Sequence, residues 1–299
     1  MGFCSSSISL LPSSSKKALL AIIGVNFIWG LDFIAIEYMM EYVSPAIFTL
    51  TRLLIGTAIL LTIVLIKKGG LHVKREDWPR LFISGAVGMA LYFTVENLGT
   101  GLTSASFSAL IMATVPVFGM IGDRIFFGNK ITGLKIVCVV ASIVGVYLLV
   151  SGEPMGISMA GFGFMLLAAL CWTFFIAYVK PLYEKYDLLT ILTGLFVSGL
   201  IVQVPLAIFA PDPMMNFTPV CIVVTVLTAL ICIILGEFGY VYAIGKLSVT
   251  MVSIFENVLP VTTVLFSLIL FGTMLTGMQL VGAVVIMAAV TVLALKEES

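Results

Sequence analysis

The sequence predicts an all-α integral membrane protein with ten transmembrane helices, arranged as two inverted five-helix repeats. Hydrophobic residues make up 61% of the 299 residues and charged residues 10%, whereas a soluble domain has roughly 45–50% apolar and about 25% charged residues. The apolar residues fall into ten stretches. If the N-terminus is cytoplasmic, 14 of the 15 Lys and Arg residues lie at cytoplasmic ends and loops. This placement favours ten crossings with both termini inside, because Lys and Arg resist translocation.

The predicted elements follow from stretches of about 20 apolar residues, the length that crosses the hydrocarbon core. Residues 1–17 are Ser-rich and predicted to be a disordered cytoplasmic N-terminus, and residues 296–299 a cytoplasmic tail. Links such as 245–247 are so short that the helices they join must run antiparallel. The predicted spans are 18–40, 45–66, 79–99, 103–127, 131–150, 157–179, 188–210, 219–244, 248–271 and 275–295.

The two halves, 18–150 and 157–295, resemble each other. A shift of 144 residues aligns 96–150 with 240–294 without a gap, and 13 of the 55 positions are identical. Because each half contains five spans, the second must insert upside down relative to the first. Inverted repeats are typical of alternating-access carriers, whose substrate site lies near the midplane between the halves. The identical pairs include Gly101/Gly245, Ser104/Ser248, Pro116/Pro260, Phe127/Phe271, Gly128/Gly272 and Gly133/Gly277.

Besides Glu37 and Asp123, which are expected near the membrane faces, four acidic residues lie inside predicted spans, and these four indicate where function resides. A charge at the bilayer centre costs roughly 2.5–3.5 kcal/mol on insertion scales, so these side chains are expected to face an interior cavity or partners. Apart from Arg80, Arg124 and Lys135 at the cytoplasmic ends, the spans contain a single base, Arg52. Some of the carboxyl groups are therefore predicted to be unpaired or protonated. Such groups would suit proton coupling. The four acids are Asp32, Glu96, Glu237 and Glu256.

Aromatic residues accompany these acids at helical spacing. Carboxylates beside aromatic rings favour an organic cation or amine, through charge and cation–π attraction. Alternatives remain: Asp32 could simply pair with Arg52, Glu96 could be solvated at the outer end, and the aromatic rings could serve packing. No catalytic or metal-binding motif is found. The candidate substrate-binding or coupling residues are Glu256, Glu237, Glu96, Asp32, Asn257, Trp29, Tyr92, Tyr240, Trp172 and Arg52.

Several short motifs resemble the drug/metabolite transporter (DMT) superfamily, in its ten-span EamA-type branch. They are Trp29-Gly30, Pro45 with Arg52, Thr103-Ser104-Ala105-Ser106, Asn257 with Pro260, and Phe271-Gly272. The resemblance covers about residues 18–295. It implies a central cavity lined mainly by spans 1, 3, 4, 6, 8 and 9, and rocking of the two halves. Members of this family mostly export amino acids, metabolites or toxic compounds. Asn129 and Thr273 stand where the family commonly has Glu.

We therefore predict a secondary transporter of a small-molecule substrate in the plasma (cell inner) membrane, the location that the resemblance implies. The excess of acids favours proton-coupled antiport of an organic cation or amine, and export of amino acids or other neutral or zwitterionic metabolites is the alternative. An enzyme, an ATP-driven pump and a non-transporting receptor fit less well, since catalytic motifs, nucleotide-binding motifs and soluble domains are lacking. No cofactor or nucleic-acid partner is expected, and a homodimer stays open.

Overall fold

The computed structural model describes residues 13–103, 105–112, 114–150, 158–210, 214–271 and 276–296, and these fold almost entirely into helices. Positions 104, 272 and 273 of the sequence motifs lie outside the described residues. The α-helices are α1 Ser13–Met39, α2 Pro45–Lys68, α3 Trp78–Gly85, α4 Tyr92–Gly101, α5 Ala105–Met112, α6 Val115–Phe127, α7 Gly133–Val150, α8 Met159–Val179, α9 Leu188–Ile208, α10 Pro219–Leu227, α11 Glu237–Ile244, α12 Val249–Phe255, α13 Leu259–Phe271 and α14 Gly277–Lys296.

This helical chain is a multi-pass membrane protein. Within the described residues, seven helices are long and apolar enough to cross a membrane, and two shorter apolar helices cover Gly133–Leu149 and Gly277–Leu293. The all-helical fold agrees with the sequence analysis, while the number of ten crossings stays a prediction. Helix α1 begins at Ser13, five residues before the predicted start and inside the segment expected to be disordered.

Three long helical stretches change their winding partway. A π-helix, Ala86–Leu91, joins α3 to α4, and a second, Thr228–Gly236, joins α10 to α11. Adding 144 to the first π-helix gives 230–235, which lies inside the second. The 3₁₀ turn Glu256–Val258 joins α12 to α13, at the position equivalent to the end of α5 at Met112. The two halves therefore share their departures from regular α-helix as well as their identical residues.

Close packing between helices depends on small residues. Helices α7 and α14 lie against each other, and a Cβ added to Gly282 would lie 2.5 Å from the carbonyl oxygen of Gly145. Similarly, a Cβ on Gly85 of α3 would lie 2.5 Å from the backbone carbonyl oxygen of Leu195 in α9. Because lipid tails are as apolar as the helix surfaces, such close backbone contacts are a main source of stability in membrane bundles.

The two ends of the bundle differ in charge. We call the end with the loops after α2, α6 and α8 the basic end, because these loops and adjoining helix ends carry most of the Lys and Arg residues. At the opposite end, the loop after α1 pairs with the loop after α9. Ser44 N donates to Met214 O at 2.9 Å, and Asn216 N donates to Tyr42 O at 3.1 Å. These backbone bonds connect the first half of the chain to the second.

Ion pairs connect the two halves at the basic end. Lys185 Nζ and Tyr186 Oη both donate to Asp77, each at 2.7 Å, and Lys68 pairs with Asp187. The hydrogen bond from Lys185 is the main reason why the pKa of Asp77 lies below its usual value. Partial burial would raise the pKa of Asp187, but hydrogen bonds led by that from Lys68 outweigh it and lower the pKa to about 2.

Candidate functional site

A cavity lies inside the bundle, between its middle and the opposite end. Its volume is about 30 Å³, which is enough for one or two water molecules. Aromatic and aliphatic side chains form most of its wall, and three carboxyl groups interrupt them. The lining residues are Asn26, Trp29, Asp32, Phe33, Ile36, Tyr92, Phe93, Glu96, Met112, Trp172, Glu256 and Leu259.

Glu256 reaches the cavity from the 3₁₀ turn between α12 and α13. Proline at position 260 has no N–H to donate to the carbonyl one turn back, so the regular α-helix is interrupted here. Trp172 Nε1 donates to Glu256 Oε1 at 2.8 Å, and the hydroxyl of Tyr240 donates to the same oxygen. The other oxygen, Oε2, is buried and has no hydrogen-bond partner within the described residues. One oxygen is thus held in place, while the other is free to take a proton or a cation.

Glu96 lines the cavity from α4. The hydroxyl of Tyr92, one helical turn earlier, donates to Glu96 Oε1 at 2.5 Å. Both residues are buried, and Glu96 is 3% exposed. The alternative that Glu96 is solvated at the helix end is therefore wrong: its position in the middle of a packed helix face keeps it away from bulk solvent.

Trp172 is the centre of the aromatic wall. Its ring centroid lies 4.4 Å from that of Tyr92, 4.9 Å from that of Tyr240 and 5.5 Å from that of Trp29. Trp29 Nε1 donates to Cys232 O at 3.1 Å, inside the second π-helix. The wider winding of a π-helix redirects its carbonyls, and here one of them orients a cavity tryptophan. The two tryptophans thus have different acceptors, a backbone carbonyl for Trp29 and a carboxyl group for Trp172.

Asp32 lines the cavity and is neutralised by Arg52. Arg52 Nη2 lies 2.8 Å from Asp32 Oδ2, and the two side chains are 2% and 6% exposed. The guanidinium lies over the rings of Phe48 and Phe93, at 4.8 and 5.6 Å from their centroids. Arg52 is therefore held between α1, α2 and α4, outside the cavity. This pairing leaves Glu96 and Glu256 as the cavity acids without an ion pair in the described part of the chain.

Six of the ten predicted residues line the cavity, and four do not. Tyr240 lies behind the cavity wall, where it hydrogen-bonds Glu256 and packs against the rings of Trp29 and Trp172. Asn257 points toward α7, where its Nδ2 donates to Ser142 Oγ at 2.6 Å. Glu237 is fully buried elsewhere, and neither of its oxygens has a hydrogen-bond partner within the described residues. Arg52 is the fourth. Helical spacing of polar residues predicts which side chains face the inside of the bundle, but it does not predict which of them line a particular cavity.

Other lining residues were not among the sequence candidates. Asn26, Phe33 and Ile36 share a face of α1 with Trp29, and their three- and four-residue spacing could have identified them. Met112 is the counterpart of Glu256 in the alignment of the two halves. Span 8 was expected to line the cavity, but none of the lining residues comes from it. Across the described ranges, no group of three His, Cys, Asp or Glu side chains could hold a metal ion.

Sequence comparison shows which family this helical bundle represents. The sequence model of the EamA-like transporter family matches this chain twice, at residues 16–151 and at residues 159–295. The chain belongs to the EamA-like transporter family. It is therefore a membrane transporter and not an enzyme. The two matched ranges agree with the two halves found from the internal alignment.

Curated relatives of this EamA-like transporter carry transporter names. An "uncharacterized transporter" of Archaeoglobus fulgidus is 26% identical over 252 residues, 84% of this chain and 88% of that protein. A "probable terminal-alkyne amino-acid exporter" of Streptantibioticus cattleyicolor is 26% identical over 249 residues, 78% of each protein. A solved crystal structure matches with a TM-score of 0.77 over 94% of this chain and 99% of its own, at 14% identity. At that identity the likeness concerns the fold alone.

Proposed function

We propose that this protein exchanges a small organic cation or amine for protons by alternating access. The observation that carries the proposal is that Glu96 and Glu256 line one aromatic-walled cavity without an ion pair in the described residues. Two buried carboxylates without compensating charge are costly in a low-dielectric interior. Protons or a bound cation would remove that cost. Because protons and the cation compete for the same carboxyl groups, the movement of protons in one direction is coupled to the movement of the cation in the other.

The free oxygen of Glu256 defines the binding mode in this proposal. Its partner oxygen is held by Trp172 and Tyr240, so the carboxyl group is oriented before any ligand arrives. An ammonium group would meet Oε2 and the surrounding ring faces, which attract cations through their quadrupoles. The cavity of about 30 Å³ is smaller than an organic cation, and we infer that it widens when substrate enters from the opposite end.

Alternating access is supported by the repeated interruptions in the two halves and by the closed basic end. There, Asp123 Oδ2 of α6 accepts from Thr250 N of α12 at 2.9 Å and from its hydroxyl at 2.5 Å. We infer two inverted five-helix repeats, ten crossings, and a basic end that faces the cytoplasm across a plasma membrane, because Lys and Arg resist translocation. The aligned halves could exchange their roles, opening the basic end when the opposite end closes. Dimer formation is not needed for this cycle.

A second candidate is export of amino acids or other zwitterionic metabolites. The observation that favours it is Nη1 of Arg52, which is buried without a hydrogen-bond partner among the described residues and could receive a carboxylate. The amino-acid exporter among the similar proteins agrees with it. The ion pair with Asp32 and the position of Arg52 outside the cavity favour the cation proposal over this alternative.

The test uses purified protein reconstituted in liposomes that contain a pH-sensitive dye. Phenyltrimethylammonium and phenylalanine are added in turn at a fixed pH gradient. Both compounds contain a phenyl ring. Phenyltrimethylammonium is a permanent cation that cannot carry a proton itself, whereas phenylalanine is a zwitterion. We expect phenyltrimethylammonium to trigger proton movement. We expect Glu256→Gln to abolish this movement and Glu96→Gln to reduce it at least tenfold, because glutamine preserves shape and hydrogen bonding while removing the charge.

The matched control is Glu41→Gln, which removes an exposed carboxyl group in the loop after α1. This variant should transport like the wild-type protein. Proton movement with phenylalanine alone would overturn the cation proposal in favour of the zwitterion. Unchanged proton movement in both Glu256→Gln and Glu96→Gln would show that the cavity carboxyl groups do not couple transport.

A further inference from the structure

Glu237 corresponds to a cavity-lining residue of the first half when the two halves are aligned. The 144-residue shift pairs Glu96 with Tyr240 and, extended by three residues beyond the start of the aligned range, Phe93 with Glu237. Phe93 and Glu96 line the cavity, whereas their counterparts in the second half do not. If the halves are inverted, a cavity open to the basic end is lined by the counterparts of the residues that line the present one. Glu237 and Tyr240 are then cavity residues of the opposite conformation.

The surroundings of Glu237 in the present conformation are unusual for an acid. Its side chain is fully buried, and both carboxyl oxygens lack a hydrogen-bond partner in the described residues. An isolated buried carboxylate without such partners is strongly unfavourable. The charged and titratable groups on other helices that interact with it electrostatically are Glu96, Glu256, Arg52, Tyr92 and Tyr183. None of them donates a hydrogen bond to it, so the group is stable here only when neutral.

Tyr183 indicates the direction in which Glu237 becomes accessible. It lies in the 3₁₀ helix Lys180–Glu184 at the basic end, and its hydroxyl is also buried without a hydrogen-bond partner among the described residues. Its ring packs against Gly245, at the end of the helix that begins with Glu237. Two polar groups without partners therefore lie between the centre of the bundle and the basic end, on the route that an inward-opening cavity would follow.

We propose that Glu237 is a second cation-binding carboxyl group, closed and neutral in the present conformation and exposed to the basic end in the opposite one. This inference rests on the proposed alternating-access function. In the opposite conformation, water reaches the carboxyl group, its proton leaves toward the basic end, and the carboxylate that remains accepts a cation. Tyr240, one turn away, hydrogen-bonds Glu256 and connects this site to the central carboxyl group, which both conformations share.

Sided cysteine labelling tests this proposal. In a full-length variant with the five native cysteines replaced by alanine, single cysteines are introduced as Phe93→Cys, Glu237→Cys or Ile176→Cys. Trp29 and Trp172 occupy similar places in the first span of each half, and matching them pairs Phe33 with Ile176. A charged, membrane-impermeant methanethiosulfonate is added to right-side-out or inside-out vesicles. We expect the cysteine of Phe93→Cys to react at least tenfold faster from the opposite end, and those of Glu237→Cys and Ile176→Cys from the basic end.

The outcomes separate this inference from the function on which it rests. Sided labelling of Phe93→Cys and Ile176→Cys without labelling of Glu237→Cys from the basic end would overturn the role of Glu237 and leave alternating access intact. Absence of sided labelling in Phe93→Cys and Ile176→Cys would instead contradict alternating access. The native side chain is tested with dicyclohexylcarbodiimide, an apolar reagent for protonated carboxyl groups. We expect a mass-spectrometric adduct at Glu237 that Glu237→Gln lacks, and no adduct would overturn the proposal.

Discussion

The buried pair Asp32–Arg52 is expected to be essential for stability, and its removal has a calculable cost. At the observed separation of 2.8 Å, the Coulomb attraction is roughly 6 kcal/mol with an effective dielectric constant of 20. Desolvation of two nearly inaccessible side chains offsets much of it. Removing one partner, however, leaves the other charge buried and uncompensated, which typically costs about 3–5 kcal/mol. We therefore expect Asp32→Asn and Arg52→Met each to lower the free energy of unfolding by about that amount.

The double variant distinguishes a structural pair from two independent roles. Asp32→Asn combined with Arg52→Met removes both charges, and its cost should be at least ~2 kcal/mol smaller than the sum of the two single costs, because neither charge is left alone. The free energy of unfolding is measured by denaturant titration in detergent micelles, with tryptophan fluorescence as the signal. Additive costs within ~0.5 kcal/mol would refute the pairing argument. Single costs below ~1 kcal/mol would show that water reaches the pair.

Three further predictions concern other parts of the bundle. A Cβ on Gly119 would lie 3.0 Å from Ser253 Cβ, so the double variant Gly119→Cys with Ser253→Cys should form a disulfide at the basic end after a small shift. Oxidation of this variant should stop transport, and reduction with dithiothreitol should restore it. Transport by the cross-linked protein would contradict closure of the basic end. The pKa of Asp187, about 2, lies below its unfolded value of about 3.9, so its stabilisation is complete above that value and is lost as pH falls toward 2. The difference in melting temperature between wild type and Asp187→Asn should therefore shrink from pH 5 to 2, and a constant difference would argue against the ion pair. Gly85→Ala should lower the free energy of unfolding by about 1–3 kcal/mol, because a carbonyl oxygen lies 2.5 Å from the new Cβ. Gly24→Ala, whose new Cβ meets nothing within 4 Å, should instead raise it by up to ~1 kcal/mol. Equal effects of the two variants in denaturant titrations would count against the close packing at Gly85.

Contacts within one helix could be predicted from spacing, whereas contacts between helices could not. Tyr92 and Glu96 are four residues apart, and the structure joins them by a hydrogen bond. The same reasoning placed Tyr240 beside Glu237, three residues away. Tyr240 instead donates to Glu256 on another helix. Helical periodicity fixes the direction of a side chain around its own axis, but the neighbour it meets depends on how the helices cross.

The π-helices were also beyond the sequence analysis. Nothing in the composition of Ala86–Leu91 or Thr228–Gly236 distinguishes them from regular apolar helix. Their recurrence 144 residues apart could be recognised only after the structure was known. The 3₁₀ turn at Glu256 is different, since Pro260 four residues later already predicts a lost backbone hydrogen bond at that position.

The sequence by itself determined that this protein is a helical membrane protein built from two related halves, with acids inside the membrane. In lipid each backbone polar group must be satisfied within its own segment, so hydropathy, charge placement and internal repetition are readable without coordinates. Only the tertiary structure decided that Arg52 neutralises Asp32, that Glu96 and Glu256 share a cavity, and that Glu237 stands apart from it. Those distinctions depend on differences of a few ångströms in helix packing, which the pattern of residue types along a single helix does not specify.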